Sequence, residues 1–338
     1  MPGPGLIHSS VQYQLGIKID AVQYQPTQRP IEDRFSVATR QQPERGHGGP
    51  ATAEHISHIL PITLLAHPPE DHSRIFKEAD DDMIRNFARD HSMLRSKSKD
   101  WIQHAQVVKS GCTALILDID IASLLASFAN AGDCRAVLFD PSKDELQLTE
   151  DLNGKSPSEQ TRLAREHPNE DTVIVGGRLF GRLMSTRGWY NHLLLLSQLI
   201  VYCSGFGDAY YKLPYGLAGK WQHKRYINAL SSVEDPGKIT MSEQYDAMFH
   251  HYRTPPYVTA APDVGIMQLR QDAFVIMASD GLWDCVSSEV AVGIVRQGIE
   301  QGVANAAEYL LRAVMDIRTP GDDVTILVVQ VSQSRPTS

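Results

Sequence analysis

Apolar and β-branched residues concentrate in six short runs, which predict strands over 34–39, 113–119, 124–131, 136–139, 273–278 and 324–331. Longer stretches with apolar positions every three or four residues predict helices over 53–60, 75–92, 158–166, 288–301 and 304–315. The run Asp80-Asp81-Asp82 falls inside a long polar helical stretch, where it reads as a solvated face. Residues 332–338 read as a polar tail.

Carboxylates stand where apolar strands give way to turns. Asp280 and Asp284 follow the run Phe274 to Met277, and Asp322 and Asp323 precede the run Val324 to Val329. Each alone fits a turn cap. Gathered in one cleft they repel each other, and they must then take up protons or share cations. Carboxylate and water oxygens suit Mg²⁺ or Mn²⁺, whereas zinc favours His and Cys at short spacing. His55 and His58 have such a spacing, but it equally fits one face of a solvated helix, and no Cys or third histidine completes a site.

The string Ser279-Asp280-Gly281-Leu282-Trp283-Asp284, followed about forty residues later by Asp322-Asp323-Val324-Thr325, resembles the PPM-type metal-dependent protein serine/threonine phosphatases. The same order of motifs runs from Glu32-Asp33 through Gly46-His47-Gly48-Gly49, Ser110-Gly111-Cys112-Thr113-Ala114 and Ala131-Gly132-Asp133-Cys134-Arg135. Further stretches, among them Glu150-Asp151-Leu152-Asn153-Gly154 and Gly176-Gly177-Arg178-Leu179-Phe180-Gly181, are similar to the pyruvate dehydrogenase phosphatase branch.

The resemblance implies an α+β fold, a four-layer α-β-β-α sandwich of two antiparallel sheets flanked by helices. It implies two Mg²⁺ or Mn²⁺ ions, with room for a third, and a phosphoprotein substrate. By the same resemblance Asp280 and Asp322 are direct metal ligands, Asp33 and Asp284 hold metal-bound waters, and Asp133 belongs to the additional metal site. Gly46 offers its backbone carbonyl, His47 protonates the leaving oxygen, and Arg29 clamps the phosphate. Residues 216–246 and 248–262 take the place of a variable surface flap beside the cleft. The phosphatase domain is expected over 29–331, preceded by an N-terminal segment over 1–28.

Two places depart from that pattern. The family's metal loop reads apolar strand, then Asp-Gly-His-Gly-Gly, with the Asp bridging both metals. Here Arg45 precedes Gly46, and the preceding Arg40 to Glu44 are polar and interrupted by Pro43. Replacing an anion between two dications with a cation changes the local charge by two units. The second departure is the Leu-rich stretch 188–204, which separates Ser185-Thr186-Arg187 from Gly205-Phe206-Gly207-Asp208; removing it restores a contiguous family motif. The expectation is that both are errors in the translated gene, an intron at about 188–204 and a lost exon before Gly46. The alternative is a catalytically impaired pseudophosphatase that binds or regulates.

With 338 residues, the chain has room for one large domain. A net charge of -8 without any basic run argues against nucleic acid or an anionic membrane as partner. The stretch Leu193 to Val201 is too short to span a bilayer, so no membrane span is expected. The four cysteines show no paired spacing, as expected for a reduced, intracellular protein. The branch resemblance points to the mitochondrial matrix, although Met1 to Ser10 lacks the Arg and Lys of a presequence; the cytoplasm is the alternative. Any regulatory subunit is unspecified.

Overall fold

The computed structural model describes residues 7–14, 16–26, 33, 35–39, 51–92, 96–109, 111–186, 197–202, 206–213, 219–233 and 251–331. Its strands are β1 (Ile7–Gln14), β2 (Ile17–Tyr24), β3 (Phe35–Thr39), β4 (Ala114–Asp120), β5 (Leu125–Ala131), β6 (Arg135–Asp140), β7 (Glu145–Leu148), β8 (Ser197–Tyr202), β9 (Asp263–Gln268), β10 (Phe274–Ala278) and β11 (Val324–Val331). The principal helices are α1 (Ala51–Leu65), α2 (His72–Asp90), α3 (Trp101–Lys109), α4 (Pro157–Glu166), α5 (Gly219–Ser232), α6 (Ser288–Glu300) and α7 (Ala306–Ile317).

Two antiparallel sheets dominate. The first runs β1-β2-β11-β10-β6-β7 and the second β9-β5-β4-β8-β3. Alternate residues of each strand point to opposite faces, so a strand buried on both sides must be apolar throughout. In β10, Val275 and Met277 join the core between the sheets, while Phe274, Ile276 and Ala278 pack against α6 and α7. In β4, Leu115, Leu117 and Ile119 face the other sheet, and Ala114 and Ile116 face the helical layer of α1 to α3. These three apolar cores make the α-β-β-α sandwich expected from the sequence.

Several local expectations are corrected. Residues 1–28 were set apart as an N-terminal segment, yet β2 is hydrogen-bonded along β11, from Ile17 opposite Val331 to Tyr24 opposite Val324. Buried Asp20 accepts from Lys18 Nζ at 2.7 Å, Gln330 Nε2 at 3.0 Å and the Ala306 N–H that opens α7 at 2.8 Å. A boundary at residue 28 would cut this sheet, so Ile7–Tyr24 belongs to the domain. The polar residues of β1 and β2 hid the period-two pattern.

Asp80 is not on a solvated face: it is buried and accepts from Lys212 Nζ at 2.8 Å through both carboxylate oxygens. Only Asp81 and Asp82 face solvent, beside Arg85. The segment expected as a surface flap is in part core. Tyr226, Leu230, Tyr252 and Tyr257 are buried with the helices of the second sheet.

The stretch 188–204 contains a strand. β8 lies between β4 and β3, paired antiparallel to both, with Ile200 opposite Leu117 on one side and Val37 on the other. Just ahead of it, Thr186 is fixed by a buried network: its hydroxyl donates to Glu159 Oε2 at 2.8 Å, and Arg162 Nη2 donates to the Thr186 carbonyl at 2.7 Å. No helix among the described residues is long and apolar enough to cross a membrane.

Candidate metal centre

The end of β10 and the start of β11 are latched together. The Ser279 N–H donates to the Thr325 carbonyl at 3.1 Å, and the Thr325 N–H donates to Ser279 Oγ at 3.0 Å. A helical turn over Asp280–Trp283 begins at once, and its position depends on Gly281. A Cβ on Gly281 would lie 2.2 Å from the Asp323 carbonyl oxygen, so only glycine lets the two turns come this close. Asp280 and Asp322 are thereby held side by side. The Trp283 indole N–H donates to the Ala278 carbonyl at 3.0 Å, and Arg318 Nη1 donates to the Asp284 carbonyl at 2.9 Å, which fixes the far end of the turn.

Asp133 comes from the hairpin between β5 and β6. Buried Asn130 shapes that hairpin: its amide donates to the carbonyls of Cys134 and Glu150, both at 3.0 Å. Asp33, just ahead of β3, receives hydrogen bonds from the hydroxyls of Ser279 and Thr325. Gln23 Nε2 ties the same corner together, donating to the Asp33 carbonyl at 3.3 Å and to Thr325 Oγ1 at 3.1 Å. The carboxylate of Asp33 therefore rests on the latch that positions Asp280.

These carboxylates act on one another. Burial raises Asp33 to about 7, against the lowering influence of the Ser279 and Thr325 hydroxyls, with Asp323 and Asp280 adding to the rise. Burial also raises Asp133 to about 7, helped by the charges of Asp280, Asp151 and Asp284. Asp280 rises to about 6 through its partly enclosed position and the charges of Asp322 and Asp284, although its own carboxylate reaches solvent. Beneath them, the buried Cys134 thiol is 3.0 Å from Thr113 Oγ1 and is held protonated by burial.

Asp33, Asp133, Asp280, Asp284 and Asp322 are thus brought together from four separate parts of the chain. Arg29, Gly46, His47 and the anomalous Arg45 lie outside the described residues. Sequence reasoning assigned no role to Asp151 or Asp323, whose charges reach the cluster. Asp323 had a signal, its place beside Asp322. Asp151 had only its position in the motif Glu150-Asp151-Leu152-Asn153, and the fold supplies the rest by pairing it with Arg135 at 2.6 Å beside Asp133.

Clustered carboxylates whose pKa values are raised by enclosure and by one another's charge suit a divalent cation, which would favour their ionised forms. Among the described residues, no three Asp, Glu, His or Cys side chains close a metal shell by themselves. The donor set therefore fits a shell completed by water. His55 and His58 do not form a separate centre. His58 is exposed, and His55 lines a cavity of about 240 Å³ with His104, whose Nδ1 is engaged by Asp90 at 2.5 Å.

The Protein phosphatase 2C family profile matches residues 42–194 and 204–321 and passes over 195–203, the residues that include the whole of β8. The mitochondrial pyruvate dehydrogenase phosphatase 2 of Homo sapiens is 34% identical over 197 residues, covering 56% of this chain and 32% of that protein. A protein phosphatase 2C homolog of Schizosaccharomyces pombe is 34% identical over 192 residues, covering 55% and 35%. The chain thus spans about a third of the length of these two relatives. A probable protein phosphatase 2C of Arabidopsis thaliana is 28% identical over 312 residues, covering 85% and 72%. Among solved structures, a phosphatase from Toxoplasma gondii superposes with a TM-score of 0.50 at 13% identity, covering 96% of this chain and 88% of its own, a likeness of fold. With more than half its residues matched by that profile, and with the sandwich and acidic cluster described above, the chain belongs to the protein phosphatase 2C family.

Proposed function

We propose that this chain is a metal-dependent protein serine/threonine phosphatase domain, acting on phosphoserine and phosphothreonine. The observation that carries the reading is the convergence of Asp33, Asp133, Asp280, Asp284 and Asp322; the raised pKa values of Asp33, Asp133 and Asp280 mark a place where negative charge lacks a counterion. Mg²⁺ or Mn²⁺ bound there would supply activation of water and neutralisation of phosphoryl charge. Asp280 and Asp322 would hold the ions directly, Asp33 and Asp284 through water, and Asp133 an additional ion, with the Gly46 carbonyl completing the shell. His47 would pass a proton to the leaving seryl oxygen, since imidazole titrates near neutral pH. Arg29 would orient the phosphate through paired donors. The human relative is named as a mitochondrial pyruvate dehydrogenase phosphatase, which supports a subunit of a pyruvate dehydrogenase-type complex as substrate and the mitochondrion as location.

A second reading, a catalytically impaired family member that binds or regulates, rests on Arg45 in the position of the bridging carboxylate. Hydrolysis of an aryl phosphate and of a phosphoserine peptide, with and without Mn²⁺, separates the two when measured on the chain and on Arg45→Asp. Turnover in both proteins supports the phosphatase reading for the chain as written. Turnover confined to Arg45→Asp supports the impaired reading, and turnover in neither contradicts the catalytic assignment.

A further inference from the structure

An open groove of about 630 Å³ borders the acidic cluster, between the start of α6 and the turn that follows β7. Asp284 forms part of its wall, so the groove is continuous with the place proposed to hold the phosphoryl group. Its lining also includes Glu150, Asp151, Glu289, Trp283 and Arg135. Four carboxylates thus stand against one guanidinium, and that guanidinium is already taken. Arg135 Nε and Nη2 donate to the two Asp151 oxygens at 2.8 and 2.6 Å, Nη1 donates to Ser288 Oγ at 3.0 Å, and the group lies 5.0 Å from the centre of the Trp283 ring. Glu150 accepts from Ser158 Oγ at 2.8 Å, which fixes its carboxylate without neutralising it. Glu289 is held ionised at the first turn of α6 by backbone and Ser287 hydrogen bonds, and it faces solvent.

A phosphopeptide whose phosphate enters the acidic cleft has its neighbouring residues laid along this groove. Acidic neighbours would meet an excess of carboxylates, whereas Lys or Arg would find Glu150 hydrogen-bonded to a neutral hydroxyl and Glu289 sharing only the charge of Arg135, which is already paired with Asp151. We propose that the groove selects phosphoserine or phosphothreonine peptides carrying basic residues beside the modified residue. The proposal names the substrate class of the site described under the proposed function and rests on that reading.

The test uses the full chain with Mn²⁺ and labelled peptides that carry a non-hydrolysable phosphonate analogue of phosphoserine, alike except for flanking Arg, Ala or Glu, followed by fluorescence anisotropy. The expected result is binding of the Arg peptide about tenfold tighter than the Glu peptide, the effect of two charge pairs at the rim. The double variant Glu150→Gln/Glu289→Gln should bring that ratio close to one and leave aryl phosphate turnover unchanged. Raising the salt concentration on the unmodified chain should shrink the ratio in the same direction, a readout independent of the variant's folding. Equal binding of the three peptides, or a preference that survives both the double variant and high salt, would overturn the proposal. Peptide selectivity without aryl phosphate turnover would keep the groove and reject the catalytic reading.

Discussion

The two sheets of the sandwich carry the site in opposite ways. In the sheet of β2, β11, β10 and β6, every strand gives apolar residues to the cores on both faces, and the turns at its edge are latched by Ser279, Thr325, Gln23 and Asn130. In the other sheet, the position between β4 and β3 is filled by β8, from a stretch that the family profile passes over. Asp280 and Asp322 stand at strand ends of the first sheet, Asp33 just ahead of β3 in the second, and Asp133 in the hairpin that joins the two. The carboxylate scaffold thus lies in residues that the family profile matches or adjoins, and the strand between β4 and β3 in residues that it does not match. The polar, proline-broken Arg40 to Glu44 is a poor strand, and Leu199-Ile200-Val201 is a good one.

The largest expected effect bears on that second sheet. Ile200→Pro removes a ladder hydrogen bond from a strand paired on both sides, and we expect a loss of about 3 kcal/mol or more in urea unfolding. A variant lacking 188–204 is expected to melt lower than the full chain. A deletion variant with unchanged or higher Tm would instead support the stretch as a translated intron, as would transcript reads that omit it.

Gly281→Ala would press a methyl group onto the Asp323 carbonyl and is expected to cost about 2 kcal/mol. It should also weaken the Mn²⁺-dependent rise in Tm, because Asp280 and Asp322 are separated. Ser279→Ala removes one latch hydrogen bond and the hydroxyl facing Asp33; about 1 kcal/mol in chemical denaturation is expected.

The pH dependence follows from the raised carboxyls. Asp33 and Asp133 at about 7 and Asp280 at about 6 lie above the ordinary value of 3.8, so in the metal-free protein the folded state holds protons that the unfolded state has released. Their contribution to stability is therefore greatest below that ordinary value and is lost as pH rises through 6 and 7. Cations favour the ionised forms, so Mn²⁺ should raise Tm more at pH 8 than at pH 5.5. An equal rise at both pH values would place the bound ion elsewhere.

Much of this was legible in the sequence where local pattern and tertiary role agree. Continuous apolar runs marked β10 and β11 because both of their faces are buried, and the turn carboxylates stood out at their ends. The pattern failed where burial was secured by pairing. Asp80 looks solvated until Lys212, distant in sequence, is brought against it. Strand β1 reads as a polar stretch because it lies at a sheet edge, and β2 because buried Asp20 interrupts its apolar alternation. The tyrosines at 252 and 257 lie among prolines that suggest a surface loop, but their hydroxyls satisfy the carbonyl of Leu213 and the carboxylate of Glu170, which allows them to be buried. Asp151 is held beside Asp133 by its pair with Arg135, a contact that no spacing announces.

If aspartates from separate segments form one cation site, Mn²⁺ titration by calorimetry will show it. The unmodified chain should bind the ion, and Asp33→Asn, Asp280→Asn and Asp322→Asn should each weaken binding by about tenfold or more while the protein remains folded. Binding that is absent in the unmodified chain, or unchanged in all three variants, would contradict the account.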